Sequence, residues 1–111
     1  MRSDDLVLIR HMLDSSREAV SFASDSSRDS LETDRKLALA LVRCIEIIGE
    51  AASRVSDETR EAIPAIPWAD IVGMRNRLVH AYFDVDLNVL WNTIKNDLPP
   101  LIKTLESAVE K

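Results

Sequence analysis

The sequence has little of the residue types that make turns, cross-links and aromatic cores. Its 111 residues include one cysteine, two glycines and four prolines, and aromatic residues make up 5%. A single Cys44 cannot form an internal disulfide, so nothing calls for an oxidising compartment. No apolar run is long enough to span a bilayer, and no charged-then-apolar leader is visible at the N-terminus. We therefore expect a cytoplasmic protein with no membrane partner.

Positive charge is outnumbered, with 14 lysines and arginines against 19 acidic residues. The formal net charge is −5 and the sequence pI is about 5.0. A protein that coats nucleic acid would be basic, so that class is disfavoured. A nuclease with a small local basic site remains open, as does a partner that is itself positively charged.

Aliphatic residues and helical spacing are what the chain does have. Hydrophobic residues make up 46%, mainly Leu, Ile, Val and Ala, and a chain of this length is expected to form one domain over residues 1–111. Ser3 or Asp4 is a candidate cap for a first helix that ends near Ser24. After a serine-rich loop, Thr33 or Asp34 is expected to open a second helix. That helix carries the cleanest apolar stripe, formed by Leu37, Leu41, Cys44, Ile45, Ile48, Ala52 and Val55.

The second half of the chain predicts further helices. Residues 56–60 suit a short capped turn, and Pro67 suits the first position of a helix that runs through His80. Asp84 or Asp86 can cap the last helix. Its apolar register continues across Pro99-Pro100, as a kinked helix or as two nearly collinear helices with Asp97 as a cap. No strand-like alternation is evident, so the predicted fold is all-α, a four- or five-helix bundle.

Small residues interrupt the second helix. Gly49, Ala51 and Ala52 allow another element to approach closely. We expect that element to be a neighbouring helix or a second subunit.

The segment 75–82 carries the most chemistry. It contains Arg75, Asn76, Arg77, His80 and Tyr82. On a continuous helix, Asn76 and His80 share a face, and Asn76 could orient the imidazole. Arg75 would lie about 140° around the axis from His80, so one chain does not stack the two directly. A long arginine could reach round, or a second copy of the helix could supply the matching half.

These side chains suit RNA cleavage without a metal. RNA supplies its own nucleophile, the 2′-hydroxyl. Histidine can move the protons near neutral pH, and arginine can hold a phosphate and stabilise developing negative charge. Arg77 could add a second phosphate contact. The cysteine and histidine spacing of a zinc site is lacking, and we expect no metal or other cofactor.

A structural interpretation competes with catalysis, and spacing alone favours it because short motifs recur by chance. Arg75 could pair with Asp70 or Asp84, and His80 could cap a helix. Outside the motif, His11 is expected to be solvated and Cys44 to be a small core residue. Trp68 and Trp91 are expected to anchor packing.

The run 68–83 resembles the signature of HepT-like toxins of the HEPN (higher eukaryote and prokaryote nucleotide-binding) superfamily. Their motif is Arg, four residues, His, any residue and Tyr, with a polar residue directly after the Arg. Arg75, Asn76, His80 and Tyr82 occupy those positions. The likeness also includes the runs 47–51 and 97–100, and so covers nearly the whole chain.

This resemblance implies a helical bundle that is active as a homodimer, with both motifs in a shared cleft. It implies a metal-independent endoribonuclease, the toxin of a type VII toxin–antitoxin pair. Arg75 would bind phosphate, His80 would be the acid/base, and Asn76 and Arg77 would support them. The antitoxin would resemble MntA, a minimal nucleotidyltransferase that adds AMP to the motif tyrosine, here Tyr82. The alternative is a non-catalytic nucleotide-binding or adaptor module that partners such a nucleotidyltransferase.

Overall fold

The structure is a computed structural model that describes residues 1–80 and 84–110, and only the backbone of Arg75, Val79, His80 and Asp84. The described residues form a helical bundle with one two-residue antiparallel β pair, so the predicted all-α class is confirmed. The elements are α1 (Ser3–Ala23), α2 (Ser30–Thr33), α3 (Arg35–Arg54), α4 (Asp57–Ala62), α5 (Trp68–Val72), α6 (Met74–Leu78), β1 (Val79–His80), β2 (Asp84–Val85), α7 (Leu87–Asn92), a π turn (Thr93–Asp97) and α8 (Leu98–Val109).

The long helices α1 and α3 form the centre of the bundle. They are antiparallel, because Asp5 near the start of α1 accepts a hydrogen bond from Ser56, which lies just beyond the end of α3. α8 packs along α1, and Arg17 donates to Glu106 across this contact at 2.6 Å. The apolar stripe predicted for α3 faces this core. Its most deeply buried members are Leu41, Ile45, Ile48 and Ala52.

Helix ends agree with the sequence predictions in most places. Asp34 caps α3 by accepting from the Leu37 N–H, and Asp86 caps α7 by accepting from the Val89 N–H. The first helix ends at Ala23, next to the predicted Ser24. The predicted cap at Ser3 or Asp4 is wrong. Both residues lie inside α1, and the residue before it, Arg2, makes no side-chain capping hydrogen bond.

A buried carboxylate joins α1 to α4. Asp5 accepts from the Ser56 N–H at 3.0 Å, the Ser56 hydroxyl at 2.6 Å and the Thr59 hydroxyl at 2.6 Å. Ser56 is in turn the N-cap of α4. The hydroxyl donors lower the pKa of Asp5 below its ordinary value of 3.8, because they stabilise the charged carboxylate. Asp5 therefore holds α4 against the start of α1.

The last helix contains a π turn just before its two prolines. The Leu98 N–H donates to the Thr93 carbonyl, five residues earlier. Pro99 and Pro100 have no N–H and their rings crowd the carbonyls four residues earlier, so a wider turn is a reasonable adjustment. The stretch is thus one helix with a local irregularity. Asp97 makes no capping hydrogen bond at α8, which contradicts the collinear alternative in which it was the cap.

Gly49 is where α3 meets the segment 68–80, which contains α5, α6 and β1 and is called the motif segment below. A Cβ on Gly49 would lie 3.3 Å from the Ile71 carbonyl oxygen at the end of α5. Gly49, Ala51 and Ala52 are all buried within the chain. The sequence left two alternatives for what approaches these small residues. The structure supports a neighbouring element of the same chain and does not leave them as a surface for a second subunit.

No helix among the described residues has both the length and the apolar character needed to cross a membrane.

Candidate functional site

Trp68 anchors the beginning of the motif segment. Its side chain is buried, and its indole N–H lies 3.2 Å from the Arg60 carbonyl and 3.1 Å from the Ile63 carbonyl. The Arg60 guanidinium lies 5.8 Å from the centre of the indole, and it also donates to the Ala52 carbonyl. Trp68 is therefore a packing anchor, as predicted. It fixes α5 to α4, and Arg60 in turn fixes α4 to the end of α3.

The motif helix is shorter than predicted. Gly73 separates α5 from α6, and α6 ends at Leu78, so His80 does not lie on a helix. Pro67 precedes α5 as its cap residue and is not its first helical position. Val79 and Val85 are β-branched register partners, and such residues favour paired strands over a helix.

The C-terminal end of α6 is fixed to the rest of the bundle. The side chain of Leu78 is completely buried, and its carbonyl accepts from the Asp86 N–H at 2.7 Å. Asp86 also begins α7. The backbone on both sides of β1 and β2 is therefore fixed to packed helices.

The pairing register brings an acidic residue opposite the motif histidine. His80 and Asp84 are partners in the antiparallel pair. From the sequence, Asp84 was expected only as a helix cap or as a partner of Arg75. Each strand of this pair has only two residues, which is too short for an apolar–polar alternation to be recognised in the sequence.

Two geometric arguments made from the sequence are consequently wrong. Asn76 and His80 do not share a helix face, and the 140° angle between Arg75 and His80 does not apply, because α6 ends between the residues in question. Asn76 is exposed on α6. The side-chain roles predicted for Arg75 and His80, and the role of Tyr82, lie outside the described residues and side chains and stay predictions.

Of the two motif arginines, Arg77 has a described side chain. Its guanidinium lies 3.9 Å from the Asp70 carboxylate and 3.3 Å from the Asp70 carbonyl. The two side chains are 51% and 75% exposed. An ion pair this exposed contributes about 0–1 kcal/mol, so Arg77 can exchange Asp70 for another anion at small cost.

A cleft of about 780 Å³ lies between the motif segment and the last helix. The motif segment contributes Asp70, Ile71, Met74 and Arg77, which recur at helical spacing. The other wall comes from α7, the π turn and the start of α8. Its polar residues are Asn88, Asn92, Thr93, Asn96, Asp97 and Thr104. This wall could not be predicted from the sequence, since its asparagines line a cleft only when the helix is packed against α5 and α6.

The remaining candidates behave mostly as expected. His11 is exposed, and Cys44 is buried in the core, where burial and the nearby negative charge of Glu18 raise the pKa of its thiol. Trp91 is half-buried, with the Lys95 ammonium 4.7 Å from its ring centre. Within residues 1–80 and 84–110, no group of three or more acidic, histidine or cysteine side chains is arranged to hold a metal ion.

Comparison with known proteins identifies one family. A family model described as "Ribonuclease HepT-like" matches residues 12–108. "Putative RNase MJ1380" of Methanocaldococcus jannaschii is 32% identical over 105 residues, covering 95% of this chain and 96% of that protein. "Putative RNase TTE0752" of Caldanaerobacter subterraneus subsp. tengcongensis is 34% identical over 103 residues, covering 93% and 92%. "Probable ribonuclease HepT" of Thermococcus cleftensis is 46% identical over 68 residues, covering 61% and 62%. No solved structure matches the chain.

Proposed function

The chain belongs to the HepT-like ribonuclease family, and from that premise we propose that it is a metal-independent endoribonuclease, the toxin of a type VII toxin–antitoxin pair. The observation that carries the proposal is the way the motif segment ends. α6 stops at Leu78, between Arg75 and His80, and the Asp86 N–H holds that end in place. Arginine and histidine thus start from two differently oriented elements, both fixed to the bundle. Such anchoring favours the precise placement that proton transfer needs.

The reaction is a transesterification within RNA. The 2′-oxygen attacks the adjacent phosphorus, its proton passes to a histidine, and the 5′-oxygen leaves with a proton from an acid. The products are a 2′,3′-cyclic phosphate and a 5′-hydroxyl. His80 serves as the acid/base, and Arg75 binds the phosphate and stabilises the charge that develops on it. Asn76 and Arg77 support the site and contact RNA.

A homodimer completes this site. The reaction needs one base and one acid, and each chain offers one histidine in the motif. A two-fold axis that joins two motifs supplies both groups and two arginines around one phosphate. Because Gly49, Ala51 and Ala52 are buried within the chain, the dimer interface is built from the motif segment and its surroundings.

Control by the partner acts on Tyr82. A nucleotidyltransferase resembling MntA transfers AMP from ATP to the phenol oxygen, which displaces pyrophosphate and releases the phenolic proton. The added phosphate is an anion next to the motif arginines and the histidine in sequence. It competes with the RNA backbone for the same positive charges and blocks cleavage without unfolding the protein.

Expression of the chain alone in cells, beside a His80→Ala variant, tests the proposal. We expect growth arrest with the wild type and normal growth with the variant, at equal protein levels. Co-expression of the cognate nucleotidyltransferase should restore growth and add AMP to Tyr82, as detected by mass spectrometry. Normal growth with the wild type, together with tight binding to the nucleotidyltransferase, would instead identify the adaptor alternative.

A further inference from the structure

The cleft beside the motif collects most of the carboxamides of this protein. The sequence has four asparagines and no glutamine. Asn88, Asn92 and Asn96 line the cleft, and the fourth, Asn76, lies on α6. A carboxamide offers donors and acceptors on one planar group without charge, which is the chemistry that reads the edge of a nucleobase.

The π turn helps to align these asparagines. They are spaced four residues apart, and four residues of α-helix advance about 40° beyond a full turn. A π turn takes more residues per turn, so the Thr93–Asp97 segment offsets that advance between Asn92 and Asn96. All three residues therefore face the same cleft.

Asn92 and Asn96 retain unused hydrogen-bonding capacity. Asn96 Nδ2 donates to Asn92 Oδ1 at 2.5 Å, which orients the two amides relative to each other. Among the described residues, this hydrogen bond uses one of the two N–H donors of Asn96 and one lone pair of the Asn92 oxygen. The second N–H of Asn96, both N–H groups of Asn92 and the Asn96 oxygen can serve a ligand. Asn88 instead accepts a hydrogen bond from Arg28 Nε at 2.6 Å, which holds the first asparagine of the row in place.

Charge within the cleft favours a base over a phosphate. Two carboxylates, Asp70 and Asp97, face one guanidinium, Arg77, and Arg77 already lies beside Asp70. A phosphate placed here would meet net negative charge. An exocyclic amino group would meet acceptors, since Asp97 is exposed at the end of the asparagine row.

Size and apolar lining fit the same ligand. A volume of about 780 Å³ lies in the range of small-molecule sites, about 300–1,000 Å³. Pro67, Val89 and Pro100 line the cleft with side chains that are not fully buried, and they supply apolar surface for the face of a ring. Arg77 also lines the cleft, and its guanidinium is a planar group of the kind that stacks on unpaired bases.

We propose that this cleft is a base-recognition subsite that holds an unpaired adenine of the RNA substrate, with Asn92 and Asn96 reading its edge. The proposal deepens the proposed function and rests on it for RNA as the source of the base. Asparagine pairs with adenine in a bidentate manner through N6 and N7, and Asp97 provides a further acceptor for an amino group. Uracil lacks an exocyclic amino group and is disfavoured.

Binding of short RNAs tests the subsite without cleavage. Labelled oligonucleotides of adenosine, of uridine and of purine riboside, which is adenosine without its amino group, are titrated onto His80→Ala protein. We expect the adenosine oligonucleotide to bind about tenfold or more tightly than the other two. Adding Asn92→Ala or Asn96→Ala should remove that preference, whereas the control Ser53→Ala, an exposed side chain on α3, should retain it. Equal binding of the three RNAs, or a preference unchanged by both asparagine variants, would overturn the subsite.

Two further arms separate the alternatives. Free AMP should compete only weakly with the oligonucleotide, and competition of comparable strength would overturn RNA as the source of the base. Sedimentation should give the same oligomeric state for the asparagine variants as for the parent protein, and dissociation would show that the cleft is an interface between chains. Cleavage of RNA by wild-type protein is scored separately. Base preference without cleavage would contradict the proposed function, and cleavage without base preference would contradict only the subsite.

Discussion

Replacing Asp5 with alanine should strongly destabilise this protein, although Asp5 is far in sequence from the motif. The carboxylate accepts one backbone and two hydroxyl hydrogen bonds, and it is only 3% exposed. Hydrogen bonds to a charged group contribute about 1.5–3 kcal/mol each, but three bonds to one carboxylate do not add fully. The variant also leaves the buried Thr59 hydroxyl without this partner. We expect a loss of about 3–4 kcal/mol in the free energy of unfolding.

Urea and thermal unfolding followed by circular dichroism measure this loss. For a chain of this size, about 3–4 kcal/mol corresponds to a fall of roughly 10–15 °C in Tm. Asp4→Ala is the matched control, because Asp4 is an exposed carboxylate in the same turn. Its effect should be within about 0.5 kcal/mol. A loss below about 1 kcal/mol for Asp5→Ala, or equal losses for both variants, would refute the assignment of Asp5 as the link between α1 and α4.

The pH dependence of the free energy of unfolding provides a second test of the role of Asp5. The pKa of Asp5 is lowered in the folded protein relative to its ordinary value of 3.8. The carboxylate therefore contributes its full stability above the unfolded pKa, and that contribution is lost as pH falls through the folded pKa. The stability difference between wild type and Asp5→Asn should be constant near neutral pH and shrink below about pH 4. A difference that grows on acidification would contradict this linkage.

Three further predictions concern the motif segment. Trp68→Phe removes the N–H that faces the Arg60 and Ile63 carbonyls and should cost about 1 kcal/mol in urea unfolding; an unchanged midpoint would contradict the anchoring role. Gly49→Ala places a Cβ 3.3 Å from the Ile71 carbonyl. This crowding should outweigh the better helix propensity of alanine and lower the free energy of unfolding by about 1 kcal/mol. A stabilised variant would show that α5 can move away from α3 without cost. Tyr82→Phe should keep ribonuclease activity and escape the nucleotidyltransferase; neutralisation that persists in Tyr82→Phe would point to direct occlusion by the partner.

Helices with a strong apolar stripe could be predicted from the sequence, because the residues at helical spacing are the ones that become buried. The stripe of α3 packs into the core as its sequence indicates, and Asp34 and Asp86 cap the helices they were expected to cap or open. Caps and stripes involve residues three or four positions apart. Sequence spacing reports such local interactions directly.

Features that depend on distant contacts were missed. The link formed by Asp5 could not be predicted from spacing, since its partners Ser56 and Thr59 lie 51 and 54 residues away. The end of α6 at Leu78 was also missed, because it depends on the Asp86 N–H and on pairing with Val85. The asparagine row had helical spacing in the sequence, but its cleft exists only after α7 and α8 pack beside α5 and α6.

Incubation of purified protein with RNA tests the central claim most directly. Wild-type protein, His80→Ala and the exposed-site control Ser53→Ala are assayed in EDTA, and product ends are identified by mass spectrometry. We expect cleavage by wild type and Ser53→Ala with 2′,3′-cyclic phosphate ends. His80→Ala, with an unchanged circular dichroism spectrum, should be slower by about 10²–10⁴-fold. Equal cleavage by His80→Ala, or cleavage that EDTA abolishes and a divalent metal restores, would contradict the account.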